Sequence, residues 1–150
     1  MYCCAIVLAA ALLLTAALAW WSRTRNGAIR SAAGTGAGTD RATRLDPVFE
    51  RLGVRPEAAE LTVVQFSTAF CAPCRTTRAR LQQLQTTRPG LAYVHVDAES
   101  HLEEVRELDV RRTPTLFYLR RDGSVLARSS GAPRPDELTA LVDAHAGAQR

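Results

Sequence analysis

The sequence predicts an α/β fold: a central mixed β-sheet flanked by helices, preceded by one N-terminal transmembrane helix. Three observations predict it. Leu61 to Phe66 is an apolar run of strand length, broken only by Thr62 and Gln65, as expected of a strand covered on both faces. A helix-length stretch separates it from a second such run, and parallel strands need a crossover of that kind. Residues 2–21 contain no charged side chain at all.

The uncharged stretch comes first in the chain. About 20 residues at ~1.5 Å rise make ~30 Å, the thickness of the hydrocarbon core. Trp20 and Trp21 fall where an interfacial aromatic belt sits, and Arg23, Arg25 and Arg30 follow. Ala17-Leu18-Ala19 looks like a signal-peptide cleavage site, but basic residues that follow the apolar run and do not precede it reverse the polarity of a secretory signal. The same asymmetry places the globular part in the cytoplasm, with an extracytoplasmic domain as the alternative. Net charge is +4, and all 19 basic residues are arginine. Arg23, Arg25, Arg30, Arg41 and Arg44 precede the folded part and suit an anionic membrane surface. No basic stripe is interleaved with aromatics, so a nucleic-acid partner is not expected. Cys3 and Cys4 read as small apolar filler in preference to acylation sites.

Residues 22–44 are rich in Gly, Ala, Ser, Thr and Arg without hydrophobic period and are expected to form a flexible linker. Such a linker would let a domain over 45–147 wander roughly 25 Å from its anchor. Asp46-Pro47 reads as a cap and first helical residue, and Gly53 as the stop, giving a short helix over Pro47 to Leu52. After the strand Leu61–Phe66, Pro73 to Thr87 is helical with Leu81 and Leu84 on one stripe, and Pro89-Gly90 ends it. Leu91 to Val96 is a second strand. Ser100-x-x-Glu103 reads as a capping box for a short helix whose Leu102, Val105 and Leu108 share a face. Thr115–Leu119 and Ser124–Ser129 are joined by Asp122-Gly123 and form an antiparallel pair. Gly131 marks a bend, and Pro135 opens a last helix with Leu138, Leu141 and Val142 facing inward.

The chemistry lies at Cys71-Ala72-Pro73-Cys74, where strand gives way to helix. A helix start leaves N–H groups unpaired and carries partial positive charge, which stabilises a thiolate seated there. Cys71 is the expected nucleophile. Cys74, one turn further in, is close enough to form a disulfide and suits a resolving thiol. Pro73 has no N–H to orphan and a φ suited to the first turn. A metal site is the competing reading, but His95, His101 and His145 are not spaced as a second ligand pair. His95 and His101 read as structural or exposed, and Asp97 as pinning a turn.

The strand running into Phe70-Cys71-Ala72-Pro73-Cys74, then Thr113-Pro114-Thr115 heading a later strand, then Asp122-Gly123, Gly131 and a closing helix resemble the thioredoxin family over roughly residues 60 to 146. The resemblance implies a thioredoxin-like fold and a thiol-disulfide oxidoreductase whose redox-active Cys71–Cys74 pair needs no cofactor. It implies protein disulfides as substrates and a thiol electron donor, such as a thioredoxin reductase or a membrane reductant. It also implies a cis Pro114 beside the disulfide. Substrate contact then falls to Thr113 and Pro114 and to Phe70, Ala72 and Pro73 at the motif. Four residues depart from the family pattern. Phe70 replaces the usual tryptophan, Gln65 stands in place of a buried aspartate, and Tyr93 in place of its lysine partner. Ala79 replaces a kinking proline, so a straighter helix is expected. The expected function is a membrane-anchored disulfide reductase working by Cys71 attack and Cys74 resolution. The alternatives are a non-enzymatic peptide-binding module with this fold and an exported thiol oxidoreductase.

Overall fold

The structure is a computed structural model and describes residues 2–25, 27–31 and 47–147. Helix α1 spans Tyr2–Arg25 and strand β1 Ile29–Ser31. After α2 (Pro47–Arg51) and a 3₁₀ turn at Pro56–Ala58 come β2 (Leu61–Ser67), α3 (Ala72–Thr87) and β3 (Leu91–Asp97). Then follow α4 (Leu102–Glu107), β4 (Thr115–Arg120), β5 (Val125–Ser130) and α5 (Pro135–His145).

The sheet order is β1-β5-β4-β2-β3. The β2–β3 pair is parallel and the other neighbours are antiparallel, so the sheet is mixed. Every residue of β2 is buried, which explains its near-continuous apolar sequence. Its side chains alternate between two cores. Leu61 and Val63 pack with Leu116 and Tyr118 of β4 against Leu81 and Leu84 of α3 and Leu138 and Val142 of α5. Val64 and Phe66 pack on the other face with Phe117, Leu119, Val48, Phe49 and Leu108. Phe117 meets Phe49 and Phe66 edge-on, with ring centroids 5.3 and 5.9 Å apart. Each such buried side chain contributes about 1.5–3 kcal/mol, which fixes helices to both faces.

Three local expectations need correction. Within the stretch read as linker, residues 22–25 continue α1, and Ile29–Ser31 pair with β5, Ile29 opposite Ser129. Arg41 and Arg44 lie outside the described residues, as does most of the expected linker. The capping box at α4 does not form: His101 occupies the cap position without a side-chain bond, and Ser100 Oγ donates instead to Asp97 Oδ2 at 2.6 Å. On α4, Val105 and Leu108 turn inward but Leu102 stays 54% exposed.

On α1 the described side chains, Val7, Leu8 and residues 10–21, are all exposed. Among the described residues no helix is long and apolar enough to cross a membrane.

Candidate active site

β2 ends at Ser67, and four residues later Cys71 caps α3, with φ −87° and ψ 95°. Its sulfur accepts the Cys74 backbone N–H at 3.2 Å, so one of the helix's orphan donors points at the nucleophile position. Cys71 and Cys74 form a disulfide with Cα atoms 5.2 Å apart. Cys71 is 8% exposed and Cys74 3%, so the first is the more open residue of the pair. Ala72 and Pro73 lie on the surface between them, and Phe70 is 97% exposed at the rim.

The second loop meets the first through Thr68. The Cys71 N–H donates to the Thr68 carbonyl at 3.3 Å, and the Thr68 and Thr113 hydroxyls lie 3.4 Å apart. The Thr113–Pro114 peptide is cis, and the Pro114 carbonyl accepts the Gly131 N–H at 2.7 Å. Gly131 has φ +95°, a conformation that suits glycine, so the bend expected there brings its amide onto the Pro114 loop. Cys71, Cys74, Thr113 and Pro114 are thereby joined at one end of the sheet, and Phe70, Ala72 and Pro73 form the exposed edge beside them.

Beneath the disulfide lies Gln65, fully buried. Its Nε2 donates to the Cys74 carbonyl at 3.0 Å and to Ser67 Oγ at 2.9 Å, while its Oε1 accepts the Tyr93 hydroxyl at 3.1 Å. A neutral amide and a phenol therefore bond to each other where the family resemblance implied an ion pair, and no buried charge needs a partner. The resemblance puts these two residues in place of the family's paired acid and lysine, but does not say that they bond to each other. The strand register supplies the join, since Val63 sits opposite Tyr93 and Gln65 opposite His95, all on the α3 face.

Burial pushes the Tyr93 phenol up to about 12, with Arg78 pulling the other way. The folded state therefore keeps this proton between about pH 10 and 12, where the unfolded chain has lost it. Stability must fall with rising pH across that window. Tyr93→Phe should flatten this loss, measured as urea midpoints from about pH 9 to 12. With no lysine in the chain, few other groups titrate there; buried Tyr118, pushed up by desolvation, carries the remaining slope.

A cleft of about 360 Å³ opens beside the disulfide, lined by both cysteines and by Arg78, His95, Asp97 and Glu99. Burial, then the nearby Arg78, holds the His95 imidazole below its ordinary pKa. Asp97 is held low by hydrogen bonds from Ser100 Oγ and the Glu99 N–H, the turn-pinning role expected of it. Glu99 accepts the Ala69 N–H at 3.1 Å and braces the loop before Cys71. Arg78 and Glu99 carried no sequence signal, because only the tertiary fold brings them to the motif. Among the described residues no group of three His, Cys, Asp or Glu side chains is placed to hold a metal ion.

Comparison with known proteins agrees with this geometry. The thioredoxin family model matches residues 51–144. Thioredoxin H4-1 of Oryza sativa subsp. japonica is 28% identical over 87 residues, which cover 56% of this chain and 66% of that protein. Thioredoxin-1 of Caenorhabditis elegans is 28% identical over 101 residues, 67% of this chain and 85% of that one. The matched stretches span 66%, 65% and 51% of three rice relatives, thioredoxins H4-1, H4-2 and H5. Among solved structures, Chlamydomonas reinhardtii thioredoxin f2 superposes with a TM-score of 0.57 at 27% identity, over 71% of this chain and 95% of that one.

Proposed function

The chain belongs to the thioredoxin family, and from that premise we propose that it is a membrane-anchored thiol-disulfide oxidoreductase that reduces protein disulfides. The observation that carries this reading is Cys71 as the cap of α3, its sulfur facing the Cys74 N–H, in a disulfide with Cys74. In the reduced protein, that donor and the helix start favour the Cys71 thiolate. The thiolate attacks one sulfur of a client disulfide. A Cys71–client bond forms, the client S–S bond breaks, and the other client sulfur leaves as a thiolate that takes up a proton. Cys74, as thiolate, then attacks Cys71 Sγ, releasing the second client thiol and closing Cys71–Cys74. Two electrons have passed to the client, and a dithiol donor returns them, either a thioredoxin-reductase-type enzyme or a membrane reductant. The redox group is the protein's own disulfide. Phe70, Ala72, Pro73, Thr113 and Pro114 contact the client segment.

Anchoring is supported by the uncharged sequence 2–21 lying within a helix of 24 residues, ~36 Å long, followed by Arg23, Arg25 and Arg30. The same arginines favour a cytoplasmic catalytic domain and contact with anionic lipid.

The test is a redox titration of the full chain in detergent, read by alkylation mass shift at Cys71 and Cys74. A reversible two-electron couple near about −270 mV is expected of a reductase. A couple near about −120 mV would make the protein an oxidant and favour an extracytoplasmic domain. Absence of a reversible couple would leave only the peptide-binding alternative.

A further inference from the structure

The junction between α1 and the sheet is short and enters at one particular end. Only residues 26–28 separate Arg25 from Ile29, four Cα steps with a reach of at most about 14 Å. Gly27 is fastened within that junction: its N–H donates to the Ser130 carbonyl at 2.8 Å, and a side chain there would run into the Ala132 carbonyl. Its φ of +82° also suits glycine alone.

The strand directions say which end this is. β2 runs toward Cys71, β4 runs away from it, β5 returns to it and β1 runs away again, since each pair in that series is antiparallel. α1 therefore delivers the chain at the redox end of the sheet. A chain of contacts connects the two places: Gly27 bonds to Ser130, Gly131 to Pro114, and Thr113 approaches Thr68, whose carbonyl holds the Cys71 N–H. Three inter-strand spacings separate β1 from β2, about 15 Å. The opposite end of the sheet, with the Asp122–Gly123 turn after β4, lies away from α1.

We propose that the redox pair is held facing the surface in which α1 is seated and acts on disulfides lying close to that surface, in the juxtamembrane loops of membrane-embedded proteins. This rests on the anchored oxidoreductase reading above. A flexible tether would have let the site sample clients at many heights, whereas a three-residue junction fastened at Gly27 confines it to the nearest layer. Phe70, at the same end and almost wholly exposed, is an apolar tip of the kind that enters a headgroup layer.

The experiment uses the full chain in phosphatidylcholine vesicles, with two transmembrane peptides that carry the same disulfide-closed loop. One loop follows the membrane segment directly, and the other stands at the end of a long, stiff Pro-rich spacer. A soluble peptide with that loop serves as the third substrate. The near loop should be reduced at least about tenfold faster than the distant one. An insertion of about twenty Gly and Ser residues between Arg25 and Gly27, worth roughly 25 Å of reach, should bring the ratio toward unity and leave soluble-peptide turnover unchanged. Equal rates for the two loops with the native chain overturn the inference, as does a ratio that the insertion leaves intact. Two other failures are separately visible, and each removes the inference with its premise. A chain that does not sediment with vesicles removes the anchor, and one that reduces none of the three loops removes the oxidoreductase reading.

Discussion

Cys71→Ser should lose disulfide reductase turnover by on the order of 10⁴-fold or more, because the thiolate is the group that forms the new bond and a serine hydroxyl does not ionise near neutral pH. Cys74→Ser should fail differently. Cys71 would still attack, but nothing would displace the client, so the protein should accumulate as a mixed disulfide one client heavier by mass. The asymmetry follows from position. Cys71 receives the Cys74 N–H and is the more open residue, whereas Cys74 sits one turn inside α3 with its carbonyl held by Gln65. If Cys74→Ser kept turnover and Cys71→Ser trapped the client, the assignment of nucleophile and resolving thiol would be reversed. Circular dichroism of both variants against the reduced parent separates these outcomes from a failure to fold.

How much was legible in the sequence depends on whether an element's cause was local. β2 announces itself because both its faces are buried, so nearly every residue is apolar. α3 does so because Cys71, Pro73 and the Leu81–Leu84 stripe are all local signals of a helix and its start. Ile29–Ser31 has no such cause: three residues show no period, and the strand exists because the edge of β5 is there to pair with. Ser100 misleads for the opposite reason. It has a cap's chemistry, but Asp97, three residues back, competes for its hydroxyl and wins at 2.6 Å. At the site, the Cys-x-x-Cys and Thr113-Pro114 were readable as segments. The Gln65–Tyr93 bond was not, since it depends on the register of two strands 28 residues apart.

That buried bond makes Gln65→Glu the most informative substitution beneath the disulfide. Glutamate has nearly the same shape as glutamine, so the packing is preserved and only the polar atoms change. Protonated, it can donate to the Cys74 carbonyl and accept from Tyr93 and Ser67, which keeps every partner satisfied. Ionised, it turns an oxygen toward the Cys74 carbonyl and carries a charge at a site with no solvent access and no cation in its hydrogen bonds. The folded state therefore favours the neutral acid and raises its pKa above the unfolded value of about 4.3. The sign follows: the folded state then binds the extra proton, so stability is retained below about pH 4.3 and falls as pH rises toward the folded value. With a shift of about 2–3 units, the variant should lose roughly 3–4 kcal/mol by pH 8 relative to its own value near pH 4, while the parent shows no such decline from this site. Urea midpoints across that range measure it. The same titration should enter the rate of the second step, because a carboxylate formed there is two residues from Ser67 along β2 and directly under Cys74. Release of the mixed disulfide should therefore acquire a pH dependence in the variant that the amide cannot provide. A variant whose stability and release rate both tracked the parent from pH 4 to 8 would mean that solvent reaches position 65, contrary to its complete burial beneath α3.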